Sequence, residues 1–164
     1  MEHKYPEIKN VKHNRYYAYL LQKDYAGLVS EITAINLYLY DHFILAKKYE
    51  KTAQIFERVA IEEMHHMHAL GKAIIAFGGD PKIGVPKKKE GFTYWKGSYF
   101  PYKRGICRIL NTAIKAEYDA IAQYQKHIKL INKTPVTALL TAIIEDEKQH
   151  IELFKAAKLD NCCK

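Results

Sequence analysis

The chain has 164 residues, 48% of them hydrophobic and 27% charged, which suits a single folded domain with a real core. No apolar run reaches the roughly 18 residues of a membrane span. The net charge of +8 comes from 26 Lys and Arg residues spread along the chain, a distribution that argues against a specific nucleic-acid surface.

The chain begins MEHKYPEIKN, which has no apolar core of a secretory signal, so a cytoplasmic location is expected. Residues 1–23 read as an arm with a short helical turn around Tyr16 to Leu21. Apolar residues three and four apart predict a first helix from Asp24 to Lys48 and a second from Thr52 to Phe77, a hairpin over 24–77. Gly78-Gly79-Asp80-Pro81 ends that hairpin, with glycine past the last turn and proline beyond it.

Residues 78–102 follow as a crossover rich in Gly, Pro, Lys and aromatics. Its basic run, Lys87-Lys88-Lys89, reads as a solvated loop. A third helix is expected from Lys103 to Asn132 and a fourth from Pro135 to Lys158, forming a second hairpin over 103–158. Two antiparallel hairpins joined by a long crossover make an all-α four-helix bundle. Three cysteines give no disulfide framework. Cys107 falls on an apolar helical face as a small buried thiol, and Cys162 and Cys163 lie adjacent in the tail.

An internal repeat carries the functional reading. Glu31-x-x-Ala34-Ile35-x-x-Tyr38 in the first helix recurs as Glu117-x-x-Ala120-Ile121-x-x-Tyr124 in the third. Glu63-x-x-His66 in the second recurs as Glu147-x-x-His150 in the fourth. Glu117 follows Glu31 by 86 residues and Glu147 follows Glu63 by 84, so the chain reads as a duplicated hairpin.

Each acid falls within an apolar stripe. These stripes are Leu28, Glu31, Ile35, Tyr38, His42; Leu110, Ile114, Glu117, Ile121, Tyr124, Ile128; and Leu140, Ile143, Glu147, His150, Phe154. The second helix offers two overlapping frames. Phe56, Val59, Glu63, His66, Leu70 and Ile74 form an apolar stripe, whereas the Glu62/His65 frame shares its stripe with Arg58 and Lys72. Periodicity therefore selects Glu63 and His66, leaving Glu62 and His65 facing solvent or supporting the first set. Four converging carboxylates would each cost on the order of several kcal/mol if uncompensated. No Lys or Arg shares the chosen stripes, and two divalent cations balance four negative charges.

With these residues in place, the chain resembles the ferritin-like di-metal carboxylate superfamily, which includes rubrerythrins, bacterioferritins and manganese catalases. The superfamily pattern takes one Glu from each of two helices and Glu-x-x-His from each of the other two. The resemblance implies a ferritin-like bundle whose metal ligands are Glu31, Glu63, His66, Glu117, Glu147 and His150. Glu63 and Glu147 are then the candidates to bridge the ions.

Iron or manganese suits an oxygen-rich donor set with two imidazoles, with zinc as a substitute. The resemblance implies redox chemistry on hydrogen peroxide or dioxygen: peroxide reduction with an external electron donor, or catalase-type disproportionation. The alternatives are ferroxidase activity with iron storage and, more remotely, a non-catalytic helical interaction module. Complete rubrerythrins carry a cysteine-ligated rubredoxin module, which this sequence lacks. Tyr38 and Tyr124 are expected to hydrogen-bond metal-binding carboxylates across the bundle. His42 reads as a satisfied histidine near a bundle end, and His68 as a surface or supporting residue. The aromatic stretch from Phe92 to Tyr102 reads as a bundle cover, an access gate or, preferentially, a homodimer contact.

Overall fold

A computed structural model describes residues 5–87 and 89–162, with the side chain of Thr134 excepted. Helix α1 spans Arg15–Ala26, α2 Glu31–Leu45, α3 Glu50–Ala76, α4 Ile106–Ile131 and α5 Thr134–Cys162. The pairs α2/α3 and α4/α5 are the two expected hairpins, and together they build a four-helix bundle. Among the described residues no helix is long and apolar enough to cross a membrane.

The first helix differs from its expected span. Asp24 lies in the last turn of a separate α1, which outgrows the short turn expected at Tyr16 to Leu21, and the bundle helix α2 starts only at Glu31. The break has a local cause. A Cβ at Gly27 would meet the Lys23 carbonyl oxygen at 2.5 Å, so glycine is needed where α1 stops. Ser30 then opens α2, its hydroxyl accepting from the Thr33 N–H at 3.4 Å, with Glu31 in the first turn complementing the helix dipole. Leu28 therefore sits in a connector and is 62% exposed, not part of the inward stripe. Helix α1 is tied back by a buried cluster: Asp24 Oδ2 lies 2.8 Å from His127 Nδ1, and Gln123 Nε2 donates to Asp24 Oδ1 at 2.8 Å.

The stop after α3 lies where the glycines predict. Gly78 takes φ 79°, and the Gly79 N–H donates to the Ile74 carbonyl at 2.9 Å. The crossover holds a short antiparallel hairpin, β1 (Gly84–Pro86) with β2 (Phe92–Tyr94), paired Gly84↔Tyr94, Val85↔Thr93 and Pro86↔Phe92. Lys87 and Lys89 are exposed at its turn, and Lys88 lies outside the described residues. The segment then docks on α2, where Trp95 Nε1 donates to Thr33 Oγ1 at 2.9 Å.

Two apolar cores stack along the bundle. One contains Leu21, Leu70, Ile74, Leu140 and Ile143; the other contains Tyr38, Phe56, Val59, Leu110 and Phe154. On α3 and α5 the acids and histidines of the repeat lie between these layers, so neighbours above and below exclude water from them.

The cysteine expectation is overturned. Cys107, near the start of α4, is bonded to Cys162 at the end of α5, with Cα atoms 5.7 Å apart and a sequence separation of 55. Adjacency along the chain hid this pairing, because only the antiparallel return of α5 brings the two together. Cys163 lies outside the described residues. Cys107→Ser is expected to lower stability by about 2–4 kcal/mol in urea unfolding, with a reductant producing the same loss in the unmodified protein but not in the variant.

Asp41 on α2 is buried, and among the described residues neither carboxylate oxygen has a hydrogen-bond partner. Burial pushes its carboxyl up to about 7, against 3.8 ordinarily. The folded chain thus keeps a proton that the unfolded chain releases near pH 4. Stability tied to this group is whole below that pH and is lost as pH rises toward and through 7. Asp41→Asn should match the natural chain at pH 4 and exceed it by about 2–4 kcal/mol at pH 8, read from urea midpoints at both values.

Candidate metal centre

The chosen faces of α3 and α5 point inward along their whole length. Phe56, Val59, Glu63, His66, Leu70 and Ile74 are each at most 1% exposed, as are Leu140, Ile143, Glu147, His150 and Phe154. Glu31 on α2 and Glu117 on α4 are buried as well. All six residues meet in one layer, whereas His65 and His68 are exposed.

The contacts divide into two related halves. His66 Nδ1 lies 2.8 Å from Glu63 Oε2, 3.4 Å from Glu147 Oε1 and 3.6 Å from Glu31 Oε2. His150 Nδ1 lies 2.9 Å from Glu147 Oε2, 3.3 Å from Glu63 Oε1 and 3.5 Å from Glu117 Oε1. The donor atoms of Glu31, Glu63, His66 and Glu147 all lie within 4.8 Å of one another, as do those of Glu63, Glu117, Glu147 and His150. The two groups share Glu63 and Glu147, the same pair that sequence singles out as bridging candidates.

The hydroxyls of the repeat cross from one half to the other. Tyr38 donates to Glu117 Oε1 at 2.6 Å, and Tyr124 donates to Glu31 Oε1. Burial, with the nearby charges of Glu117 and Glu63, pushes the Tyr38 phenol well up, so it remains a donor.

Each imidazole also has an outer carboxylate neighbour. His150 Nε2 lies 3.0 Å from Glu62 Oε2, and His66 Nε2 lies 3.5 Å from Asp146 Oδ2. Tyr5 donates to that same Asp146 oxygen at 2.8 Å and packs its ring roughly perpendicular to His66, with centroids 5.4 Å apart. Asp146 and Tyr5 are functional candidates that the helical stripes did not reveal. A signal was present: the residue before the Glu of each Glu-x-x-His motif is itself acidic, Glu62 in one copy and Asp146 in the other. Carboxylates at this position orient an imidazole and select which ring nitrogen faces a metal.

The protein's own charges do not satisfy this layer. Burial, reinforced by the charge of Glu63, raises Glu31 well above the ordinary carboxylate range, and burial with the charge of Glu147 does the same to Glu117. Burial also opposes ionisation of Glu63, but hydrogen bonds from His150 and His66 outweigh it and hold Glu63 low. Burial disfavours a charge on either histidine, yet both are raised, His66 chiefly by Glu147 and Glu31, His150 by hydrogen bonds to Glu117 and Glu147. Even so, among the described residues Glu63 Oε1, Glu147 Oε2 and His150 Nδ1 are buried with close polar neighbours but no well-aligned hydrogen bond. Buried polar atoms are rarely left this way. A donor set of carboxylate oxygens and imidazoles with orphaned lone pairs fits a pair of divalent ions.

A cavity of about 320 Å³ leads to the layer between α2 and α4. Glu31, Glu63, Glu117 and Glu147 line its inner end, while Tyr99, Phe100 and Pro101 of the crossover border it.

The family model for rubrerythrin matches residues 25–158, which span both hairpins and all six donors. The chain belongs to the rubrerythrin family. Beyond the family match, the chain is 28% identical over 138 residues to a bacterioferritin of Brucella melitensis, covering 82% of this chain and 78% of that one. The manganese catalase KatB of Anabaena shares the fold with a TM-score of 0.83 at 24% identity, over 96% of this chain and 78% of that one. A bacterioferritin of Rhodobacter capsulatus superposes with a TM-score of 0.73 at 19% identity, over 89% and 85% respectively. A rubrerythrin-family chain with this donor layer is a ferritin-like di-metal carboxylate protein.

Proposed function

We propose that this rubrerythrin-family protein is a peroxide-scavenging oxidoreductase built on two iron or manganese ions. The observation that carries the reading is a pair of four-donor groups sharing Glu63 and Glu147 at the end of an open cavity. A purely structural metal site has no need of a route from the surface; a reacting one does.

Two redox-active ions, when bound, supply the electrons that cleave an O–O bond. The chain's own residues do the rest. Glu31, Glu63 and His66 would hold one ion and Glu117, Glu147 and His150 the other, with Glu63 and Glu147 reaching both. Glu62 and Asp146 keep the imidazole rings turned, each through the Nε2 atom. Tyr38 and Tyr124 fix the outer carboxylates and hold a proton at Glu117 Oε1 and Glu31 Oε1, beside the space where peroxide would sit. The apolar layers on either side restrict water, which strengthens every charge interaction in the site.

Likeness to a bacterioferritin over 82% of the chain supports a second reading, ferroxidase activity with iron storage. Anaerobic purification, elemental analysis and peroxide turnover with and without a reductant test the first. About two iron or manganese ions per chain and reductant-dependent peroxide consumption are expected; consumption without a reductant would indicate disproportionation. A metal-loaded protein inert toward peroxide would sink the reading. Size-exclusion chromatography addresses storage directly, since a homodimer encloses no mineral.

A further inference from the structure

The cavity is far larger than hydrogen peroxide requires. A water molecule's share of liquid volume is about 30 Å³, and pockets that take small organic ligands begin near 300 Å³. Two ions with their solvent would fill only the carboxylate end of a space of about 320 Å³. The remainder has mostly apolar walls. Ala34 and Leu37 of α2 face Ala116 and Ala120 of α4, and Phe100 closes one side. The alanines matter because larger side chains at three positions would fill the space between the helices. Leu28, 62% exposed, stands at the rim beside the Lys115–Asp119 ion pair.

Walls of this kind contribute nothing to holding a two-oxygen polar molecule, but they favour a hydrocarbon body. The inner end, ringed by four carboxylates, disfavours an anionic head and accepts a neutral one. The volume suits one aromatic ring or a short branched chain. We infer that the cavity binds an organic hydroperoxide, its O–O group at the carboxylate layer and its hydrocarbon body against Ala34, Leu37, Ala116, Ala120 and Phe100. This substrate assignment rests on the peroxide reading above. The reaction balances as ROOH plus two electrons and two protons giving ROH and water: the O–O bond breaks, one oxygen leaves in the alcohol and the other in water. A two-electron organic reductant of the ascorbate type supplies both electrons and one proton, and solvent supplies the other. Two-electron oxidation of a second alkyl hydroperoxide to dioxygen would have to break its R–O bond, a route hydrogen peroxide does not need, so the reaction takes its electrons from the reductant.

The test uses full-length protein loaded with manganese or iron, cumene hydroperoxide and hydrogen peroxide as substrates, and ascorbate as reductant. The expected result is turnover of both, with Ala116→Leu lowering the ratio of kcat/KM for cumene hydroperoxide to that for hydrogen peroxide by at least ~10-fold. Ala34→Leu, filling the opposite wall, should do the same independently. A second readout needs no turnover: cumyl alcohol, at some 100 times its Kd, should raise the Tm of the metal-free chain by roughly 5–10 °C and that of Ala116→Leu far less. Turnover of hydrogen peroxide alone, with no Tm shift, would overturn the inference while leaving the peroxide reading intact. A loaded protein inert toward both peroxides would instead overturn that reading and the substrate assignment with it, and the Tm shift would then decide whether the cavity is an organic-ligand site.

Discussion

In the metal-loaded protein, Glu63→Ala is expected to remove at least one of the two ions proposed above. Glu63 belongs to both donor groups and contacts both imidazoles, at 2.8 Å from His66 and 3.3 Å from His150. Alanine would remove two oxygens from the middle of the layer and leave Glu147 as the one carboxylate common to both donor groups. Elemental analysis should find one ion or fewer per chain, with peroxide consumption down by at least ~100-fold, more than the 10–100-fold typical of losing an outer support. Glu62→Ala provides the contrast. It keeps all six donors and removes only the contact to His150 Nε2, so two ions should remain, held about 10–100-fold more weakly. Two ions retained in Glu63→Ala and lost in Glu62→Ala would mean that the wrong frame of α3 had been chosen.

Phe154→Ala should be the most damaging change outside the donor set. Phe154 is fully buried one turn beyond His150, with its ring 4.7 Å from Phe56 and 5.3 Å from Tyr38, centroid to centroid. Removing a buried phenylalanine side chain costs about 3–5 kcal/mol through lost transfer energy and the void left behind. The void would open directly beneath Tyr38, the residue that donates to Glu117, so stability and turnover should fall together. Urea unfolding measures the first. The same change at exposed Leu159 serves as reference, expected within about 0.5 kcal/mol of the natural chain.

The donor layer was legible in the sequence because three regularities coincide there. Helical period identifies a face, duplication identifies which polar residues recur on it, and the absence of Lys or Arg on that face leaves the acids without partners. Local rules also gave the stop at Gly78 and the satisfied His42, whose Nδ1 lies 2.9 Å from the Ala53 carbonyl oxygen. What escaped was set by tertiary geometry. The Cys107–Cys162 bond and the Asp24–His127 pair join positions whose proximity depends on how helices return and cross. The break at Gly27 to Ser30 was within reach, since a glycine followed by a serine cap ends one helix and begins another. Continuous apolar spacing on both sides concealed it. Tyr5 could not be anticipated, because nothing local ties an N-terminal arm to α5.

The tyrosine hydroxyls and the outer carboxylates around the layer reach from one half of the duplication to the other. Tyr38 serves Glu117, Tyr124 serves Glu31, Glu62 serves His150 and Asp146 faces His66. Neither hairpin is chemically self-sufficient, and each holds what its twin lacks. Two identical single hairpins would generate the same crossed pattern by two-fold association, so covalent linkage through the crossover adds no new chemistry. It makes an encounter that would depend on dilution an intramolecular one, and it frees the twins to diverge, as the half-exposed Glu62 and the buried Asp146 already have.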